Sequence, residues 1–252
     1  MTKLKRFGYS VFGSVLILLL WAVASHFHWV SKIFLPTPWE VVQAFGIGIQ
    51  DGSLLLDVRV TAVRFLIAFL IAVGLGTPIG LLMGSIKRVY YALQFLVEFF
   101  RSIPTTALFP LFILFFGIGD LSKIAVAVWG AGLIVIVNTM HGVHQVKRLR
   151  LLVAENLKLT RLQTFWHVIF PDALPSIVSG YRIALSIALV IVVVTEMFIG
   201  SRNGIGLRIM NAQLVYNTAD MFAAILTVGL FGFFVNKVVQ LTEEKLVHWK
   251  GR

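Results

Sequence analysis

The stretch "VYYALQFLVEFFRSIPTTALFPLFILFFGIG", residues 89–119, decides how this chain is built. It is almost wholly apolar yet carries Glu98, Arg101, Pro104 and Pro110. One helical crossing of a bilayer needs about 20 residues, so the stretch is too long for a single straight span. It makes either two short crossings or one broken, tilted crossing. Everything after residue 119 changes sides with that choice.

The surrounding composition places the choice in a membrane. The 252 residues are 58% hydrophobic and 13% charged, with a mean hydropathy of +0.91. Apolar runs recur from end to end, as in an integral membrane protein rather than a soluble domain. They do not alternate, which argues against a transmembrane β-barrel and for an all-α polytopic chain. The net charge of +11 sits in short loops between apolar runs. Such bases are orientation signals, not a nucleic-acid surface. There is no cysteine, which removes disulfides and thiol-bound metal.

Apolar spans fall at about 9–28, 58–84, 89–119, 121–142, 173–199 and 221–241, with ends uncertain by about 2–4 residues. The basic start, apolar run and Ala22-Val23-Ala24 of the N-terminus also fit a cleavable signal peptide. The length of the run from Phe7 to Ala24 favours a retained helix. With one crossing at 89–119, one side holds Lys3, Lys5, Arg6, Lys87, Arg88, Lys147, Arg148, Arg150, Lys158, Arg161, Lys245, Lys250 and Arg252. The other side holds Lys32, Arg59, Lys123, Arg202 and Arg208. Two crossings would move the cluster at 147–161 outside. The positive-inside rule therefore selects about six transmembrane helices, making one transmembrane domain over 1–252, with both termini in the cytoplasm. Pro104 marks the break, tolerable where the backbone is buried in protein or lines a cavity.

The longest cytoplasmic loop is then about 143–172, containing "RLRLLVAENLKLTRLQTFWHVIFPDALPS" from Arg148 to Ser176. As a helix it sets Leu149, Leu152, Val153 and Leu157 on one face, at i, i+3, i+4 and i+8. Arg148, Arg150, Glu155, Lys158 and Arg161 surround that face. Such a helix can rest on anionic lipid headgroups or enter the groove of a partner protein. Pro171 and Pro175 are expected to break any helix continuing from 162 and to set the turn into the fifth span.

This loop, its ending "VIFPDALPSIVSGYRIAL" and its place between the fourth and fifth spans resemble the inner-membrane permease subunits of binding-protein-dependent ABC importers, most closely the sulfonate, taurine and nitrate group. "FLPTPWEVVQAF" at 34–45, "TAVRFLIAFLIAVGLGTPIGLLMGS", "LVEFFRSIPTTALFPLFILFFGIGDLSKI" and "TEMFIGSRNGIGLRI" resemble further segments of that family, in order, over nearly the whole chain. The family's loop reads Glu-Ala-Ala, three residues, Gly, nine residues, then Ile-x-Leu-Pro. Counted back from Pro171, Ala154 and Pro171 match and Val168 matches in character, while Leu152 and Lys158 depart from the pattern. Glycine there implies a backbone turn without steric penalty. Lysine resists it, so either Asn156 supplies the turn or the helix runs on.

The resemblance implies a type I ABC importer permease fold in a bacterial inner membrane. It implies two cytoplasmic ATPase subunits docked on Leu149, Leu152, Val153, Ala154, Leu157, Lys158, Arg161 and Pro171. It also implies an extracytoplasmic solute-binding protein, a second copy of the chain as a homodimer, surrounding lipid, and a small polar, anionic solute. No G-x-x-x-x-G-K-[ST] phosphate loop is present, and "GIGDLSK" at 117–123 lacks the spacing. ATP hydrolysis therefore belongs to another subunit, and no catalytic residue or cofactor is expected here.

Arg64, Glu98, Arg101, Arg182 and Glu196 lie in or near apolar spans, where charge is costly and faces protein or water. Glu98 and Arg101, three apart, share a helical face and can pair, as a structural clamp or as a pathway charge. Arg182 near the start of the fifth span can snorkel. Glu196 can be an exposed interfacial carboxylate. Asn138, Thr195 and Ser186 offer hydrogen bonds to a solute or between helices. The six histidines show no metal-ligand spacing. Gly76 and Gly80 suit close helix packing. A secondary transporter should show paired broken helices in two halves, and a mere anchor subunit needs neither intramembrane charge nor a docking loop.

Overall fold

The computed structural model describes residues 3–246, with side chains over 12–243. The bases at Lys3, Lys5, Arg6, Lys245, Lys250 and Arg252, together with His248, lie outside those side chains. The described residues are helical, with no strand among them. By their contacts they fall into two compact units, residues up to Val60 with Arg202–Gly229, and Thr61–Ser201 with the residues from Leu230 onward.

The first unit contains helix α1 (Lys3–His26), α2 (Pro38–Gln50), the start of α3 (Ser53–Ser85), and Arg202–Gly229. Of α1, the stretch Phe12–His26 is apolar. α2 starts on a capping box. The Thr37 hydroxyl accepts from the Glu40 N–H at 3.3 Å, and the Glu40 carboxylate accepts from the Thr37 N–H at 2.9 Å. Pro38 fills the first helical position, where no N–H is needed. Arg208 ties this unit together. Its guanidinium donates to Asp220 Oδ1 at 2.6 and 2.9 Å and to Ser53 Oγ at 2.8 Å. Its distance to Asp57 is 3.5 Å.

The second unit is built on α3, α4 (Lys87–Ser102), α5 (Phe109–Phe116), α6 (Asp120–His144), α7 (Arg148–Asn156), α8 (Arg161–Thr164) and α9 (Phe170–Phe198). α10 (Ile205–Leu214) belongs to the first unit, and α11 runs Thr218–Leu246. Among the described residues, four helices are long and apolar enough to cross a membrane, α3, α6, the continuous run Arg161–Phe198 and α11, or five if α4 and the bent segment after it make one span; Phe12–His26 of α1 is apolar but shorter.

The stretch 89–119 is bent by 93° between α4 and the segment Thr105–Phe116. Proline explains the bend. It has no N–H to continue the ladder and pushes the residue before it into the extended region. Ile103 accordingly has ψ 122 and Pro104 ψ 123, after which one 3₁₀ turn (Thr105–Leu108) restarts the chain. At about 1.5 Å per residue neither arm alone reaches across about 30 Å of hydrocarbon, so two separate crossings do not fit.

The expectation that Pro171 and Pro175 break the helix is corrected. α8 passes through a π-helical turn, Phe165–Ile169, directly into α9, giving 38 residues from Arg161 to Phe198. The Phe170 N–H reaches back to the Phe165 carbonyl. This widened turn makes room for a proline ring that would clash with the carbonyl four residues earlier in a regular helix.

The seams of the second unit are glycine-lined. A Cβ on Gly76 would lie 2.9 Å from Val135 Cβ, one on Gly80 2.6 Å from the Ile136 carbonyl, and one on Gly84 2.5 Å from Val143 Cβ. The packing reading of Gly76 and Gly80 holds and extends one turn to Gly84. α3 and α6 approach closely because side chains are missing at each contact. On the other side of α6, Gly180 of α9 seats Asn138, whose Cβ would lie 2.4 Å from an added Cβ.

Candidate functional site

Two sites emerge in the second unit, one on the 148–172 loop and one inside the helices. α7 ends in a Schellman motif. The Lys158 N–H donates to the Glu155 carbonyl at 2.9 Å and the Leu159 N–H to the Ala154 carbonyl at 3.1 Å. Lys158 occupies the left-handed position, φ 54. The helix therefore does not run on, and Asn156 does not supply the turn. Lysine itself takes the conformation that normally favours glycine.

Asp172 at the head of α9 holds α7 in place. It pairs with the Arg150 guanidinium and accepts from the Lys147 N–H at 3.4 Å. Ala154 is buried at 2%. Leu149, Val153 and Leu157 line an open apolar groove of about 620 Å³, with His167, Val168 and Pro171 on its far wall. Leu152 does not line the groove and is 44% exposed. Lys158 and Arg161 are exposed beside it. The four-residue stripe is thus split: three residues face the groove and Leu152 flanks it. Helix α7 is short and pulled toward α9, which rotates part of the stripe off the common face.

The intramembrane charges divide in the same way. Arg64 and Glu196 are 5% and 0% exposed. Arg64 Nη1 donates to Glu196 Oε1 at 2.6 Å, and the Thr61 hydroxyl donates to both Glu196 oxygens at 3.0 and 2.9 Å. The other edge of the guanidinium grips Asp120 at 2.6 and 3.0 Å. Lys123, 1% exposed, donates to the carbonyls of Gly119 at 3.3 Å and Gly200 at 2.9 Å. Two cations and two carboxylates thus pin α3, α6 and the end of α9. Glu196 is not an exposed carboxylate. Asp120 and Lys123 were not singled out as site residues from sequence. Their signal was an i, i+3 pair of opposite charge at the head of a span.

Glu98 and Arg101 do not pair. Glu98 accepts from the Gln94 side chain at 2.8 Å, and Glu98 and Arg101 are each exposed on α4. A bond one turn back, at i−4, is available to Glu98 and needs no charge partner.

Arg182 is not at the start of its helix, because that helix begins at Arg161. It lies beside a cavity of about 510 Å³ between α9 and α11, with Ser179, Ser186, Asn236 and Glu243. Of the three polar residues considered for solute contact, Ser186 reaches this cavity and bonds Asn236 at 3.2 Å. Asn138 bonds the Ile134 carbonyl of its own helix, and Thr195 the Val192 carbonyl.

The model of the family described as "Binding-protein-dependent transport system inner membrane component" matches residues 76–248. The aliphatic sulfonates transport permease SsuC of Bacillus subtilis is 35% identical over 98% of this chain and 90% of its own. The taurine transport permease TauC of Escherichia coli is 30% identical, over 94% and 88%. The nitrate import permease NrtB of a Synechocystis species is 29% identical, over 84% and 80%. Among solved structures, a chain of the inward-facing MetNI methionine ABC transporter superposes with a TM-score of 0.69 at 17% identity, covering 79% of this chain and 98% of that one. A chain of an amino acid ABC transporter solved with histidines gives 0.61, again at 17% identity, over 79% and 97%. These two establish the fold, that of ABC importer permeases. The match over more than two thirds of the chain, with relatives of 30% identity and above along nearly all of it, shows that this chain belongs to the binding-protein-dependent transport system inner membrane component family.

Proposed function

We propose that this chain is the pathway-forming subunit of an ATP-driven importer for a small sulfonate, taurine, nitrate or similar solute. Two copies enclose the pathway, two ATPase subunits bind on the cytoplasmic side, and a solute-binding protein delivers from outside. The whole chain acts as one permease domain in the bacterial inner membrane, termini inward. The single observation that carries the coupling is the α7 groove. It is apolar, open and built on a turn whose left-handed residue falls where the family's loop has glycine. A groove of this kind meets an apolar partner surface by helix-in-groove packing.

Leu149, Val153 and Leu157 form the inner contact, and Leu152, Lys158 and Arg161 the rim. Ala154 shapes the floor and Pro171 the far wall. The Arg64–Glu196 cluster clamps the extracytoplasmic helix ends, and Arg182 is the pathway charge. Motion of α7 passes to the long helix through Asp172, so a rigid 38-residue rod carries movement of the ATPases through the bilayer.

Co-purification of the ATPase tests this. Burying a leucine or valine contributes about 1.5–3 kcal/mol, so Val153→Asp should weaken ATPase association about tenfold or more. Leu152→Asp, on the rim, should weaken it less. Full recovery of the ATPase with Val153→Asp removes the docking role of this face.

A further inference from the structure

Among the described residues, α6 covers one face of helix α4 and leaves the others open. Tyr90 and Phe100 turn toward α6, where their rings meet His144 at 5.2 Å and Trp129 at 4.9 Å. No residue of α4 is buried. A second face is apolar. Phe95, Leu96 and Phe99 are 72%, 46% and 52% exposed, and the rings of Phe95 and Phe99 stack at 6.1 Å. The third face is a polar stripe. Tyr91, Gln94, Glu98, Arg101 and Ser102 fall at i, i+3, i+7, i+10 and i+11, which is one side of a helix.

The stripe is electrostatically unfinished. Gln94 donates to Glu98 at 2.8 Å, a neutral partner for a carboxylate. Among the described residues the Arg101 side chain has neither an ion pair nor a hydrogen bond, although an acid lies three residues away. Lipid cannot satisfy an acid and a base on one arm of a bent span, so they face water or protein. Water does not suit the neighbouring face, which sets two stacked phenylalanines beside the charges. An apolar strip bordered by a polar one is the make-up of a protein contact.

The two charges complement each other, so the stripe complements itself. In a two-fold contact residue i meets j and j meets i. Two α4 helices side by side set Glu98 of each copy near Arg101 of the other. The two positions differ by about 4.5 Å along the helix axis, a step that the long arginine stem spans. We infer that α4 is the contact between two copies of this chain, closed by two reciprocal Glu98–Arg101 ion pairs with Phe95 and Phe99 packed beside them. This rests on the reading of the importer as a two-copy assembly, and it names the surface through which the copies meet.

The chain has no cysteine, so introduced thiols report one contact each. Two differently tagged copies are co-expressed with the ATPase, one carrying Glu98→Cys and the other Arg101→Cys, and the assembled complex is oxidised in lipid nanodiscs. A covalent mixed-tag dimer is expected, well above that from two copies of Leu70→Cys, a position on α3 that is 65% exposed. Choice of partner gives a second readout. Glu98→Arg makes the stripe of one copy basic, and Arg101→Glu makes that of the other acidic. Co-expressed, mixed complexes should exceed each same-tag complex about tenfold or more, because like charges across a contact repel. Pairing of Glu98 and Arg101 within one chain predicts no such choice. Where a charge variant fails to assemble, the cysteine pair decides alone. Random mixing in assembled complexes, or no mixed-tag dimer beyond the Leu70→Cys level, overturns the inference. A native mass with a single copy of the wild-type chain per complex overturns the two-copy reading instead.

Discussion

Arg64→Ala should destabilise the protein more than Glu196→Ala, though the two residues share one ion pair. Arg64 has two carboxylates, Asp120 and Glu196. Removing Glu196 leaves its guanidinium paired with Asp120, whose side chain is 62% exposed and hydrated. Removing Arg64 takes the direct cation partner from a carboxylate that is 0% exposed. Breaking a buried pair from that side costs about 3–5 kcal/mol. From the Glu196 side the cost falls to about half that range, because the surviving charge keeps a partner. The double change Arg64→Leu with Glu196→Leu removes both charges and should recover most of the loss. Equilibrium unfolding of purified protein in mixed micelles, run on the matched singles Arg64→Leu and Glu196→Leu and on the double, gives the coupling energy. Additive single effects, or a larger cost for Glu196→Ala, would refute the clamp as described.

Lys158→Gly should stabilise the end of α7 by about 0.5–1 kcal/mol, the left-handed penalty less the entropy glycine returns to the unfolded chain. Hydrogen exchange at Leu157–Leu159 would slow, and faster exchange would mean the turn is not left-handed. Gly80→Ala should cost about 1–3 kcal/mol, since the new Cβ meets a backbone carbonyl that cannot move aside. Gly74→Ala, with nothing within 4 Å, should be neutral or stabilising in the same thermal unfolding assay. The Lys32 ammonium and the Thr37 N–H lower Glu40 from 4.5 to about 2. A lowered carboxylate stabilises fully above its unfolded value, so its support of α2 is complete above about pH 4.5 and fades as pH falls toward 2. Carbon NMR of that carboxyl should give a midpoint near 2, moving upward in Lys32→Ala.

The helical class and the break at Pro104 were legible because both rest on local chemistry: run length, and a proline that cannot donate. The prolines at 171 and 175 misled for the same reason. Their local cost is real, but a π-helical turn five residues long absorbs that of Pro171, Pro175 is carried inside α9, and nothing in the sequence announces a widened turn. The stripe on α7 was visible as spacing, yet the split between Val153 and Leu152 depends on Asp172 drawing Arg150 toward α9, a contact 22 residues away. Glu196 and Arg64 were flagged as costly charges. Their partnership spans 132 positions and is set by tertiary packing. Glu98 and Arg101 show the converse, since correct helical spacing did not make a pair. Lys158 was identified as a departure from a glycine position, and the backbone kept the turn despite the side chain.

Solute accumulation in proteoliposomes containing this chain, its ATPase and its binding protein distinguishes ATP-driven import from every other mode of transport. Taurine or an aliphatic sulfonate should accumulate against its gradient only when ATP reaches the ATPase and binding protein is present on the opposite face. Val153→Asp should abolish accumulation while the chain still inserts. Accumulation driven by an ion gradient with the ATPase left out would contradict ATP-driven import, and would make the chain a self-sufficient transporter.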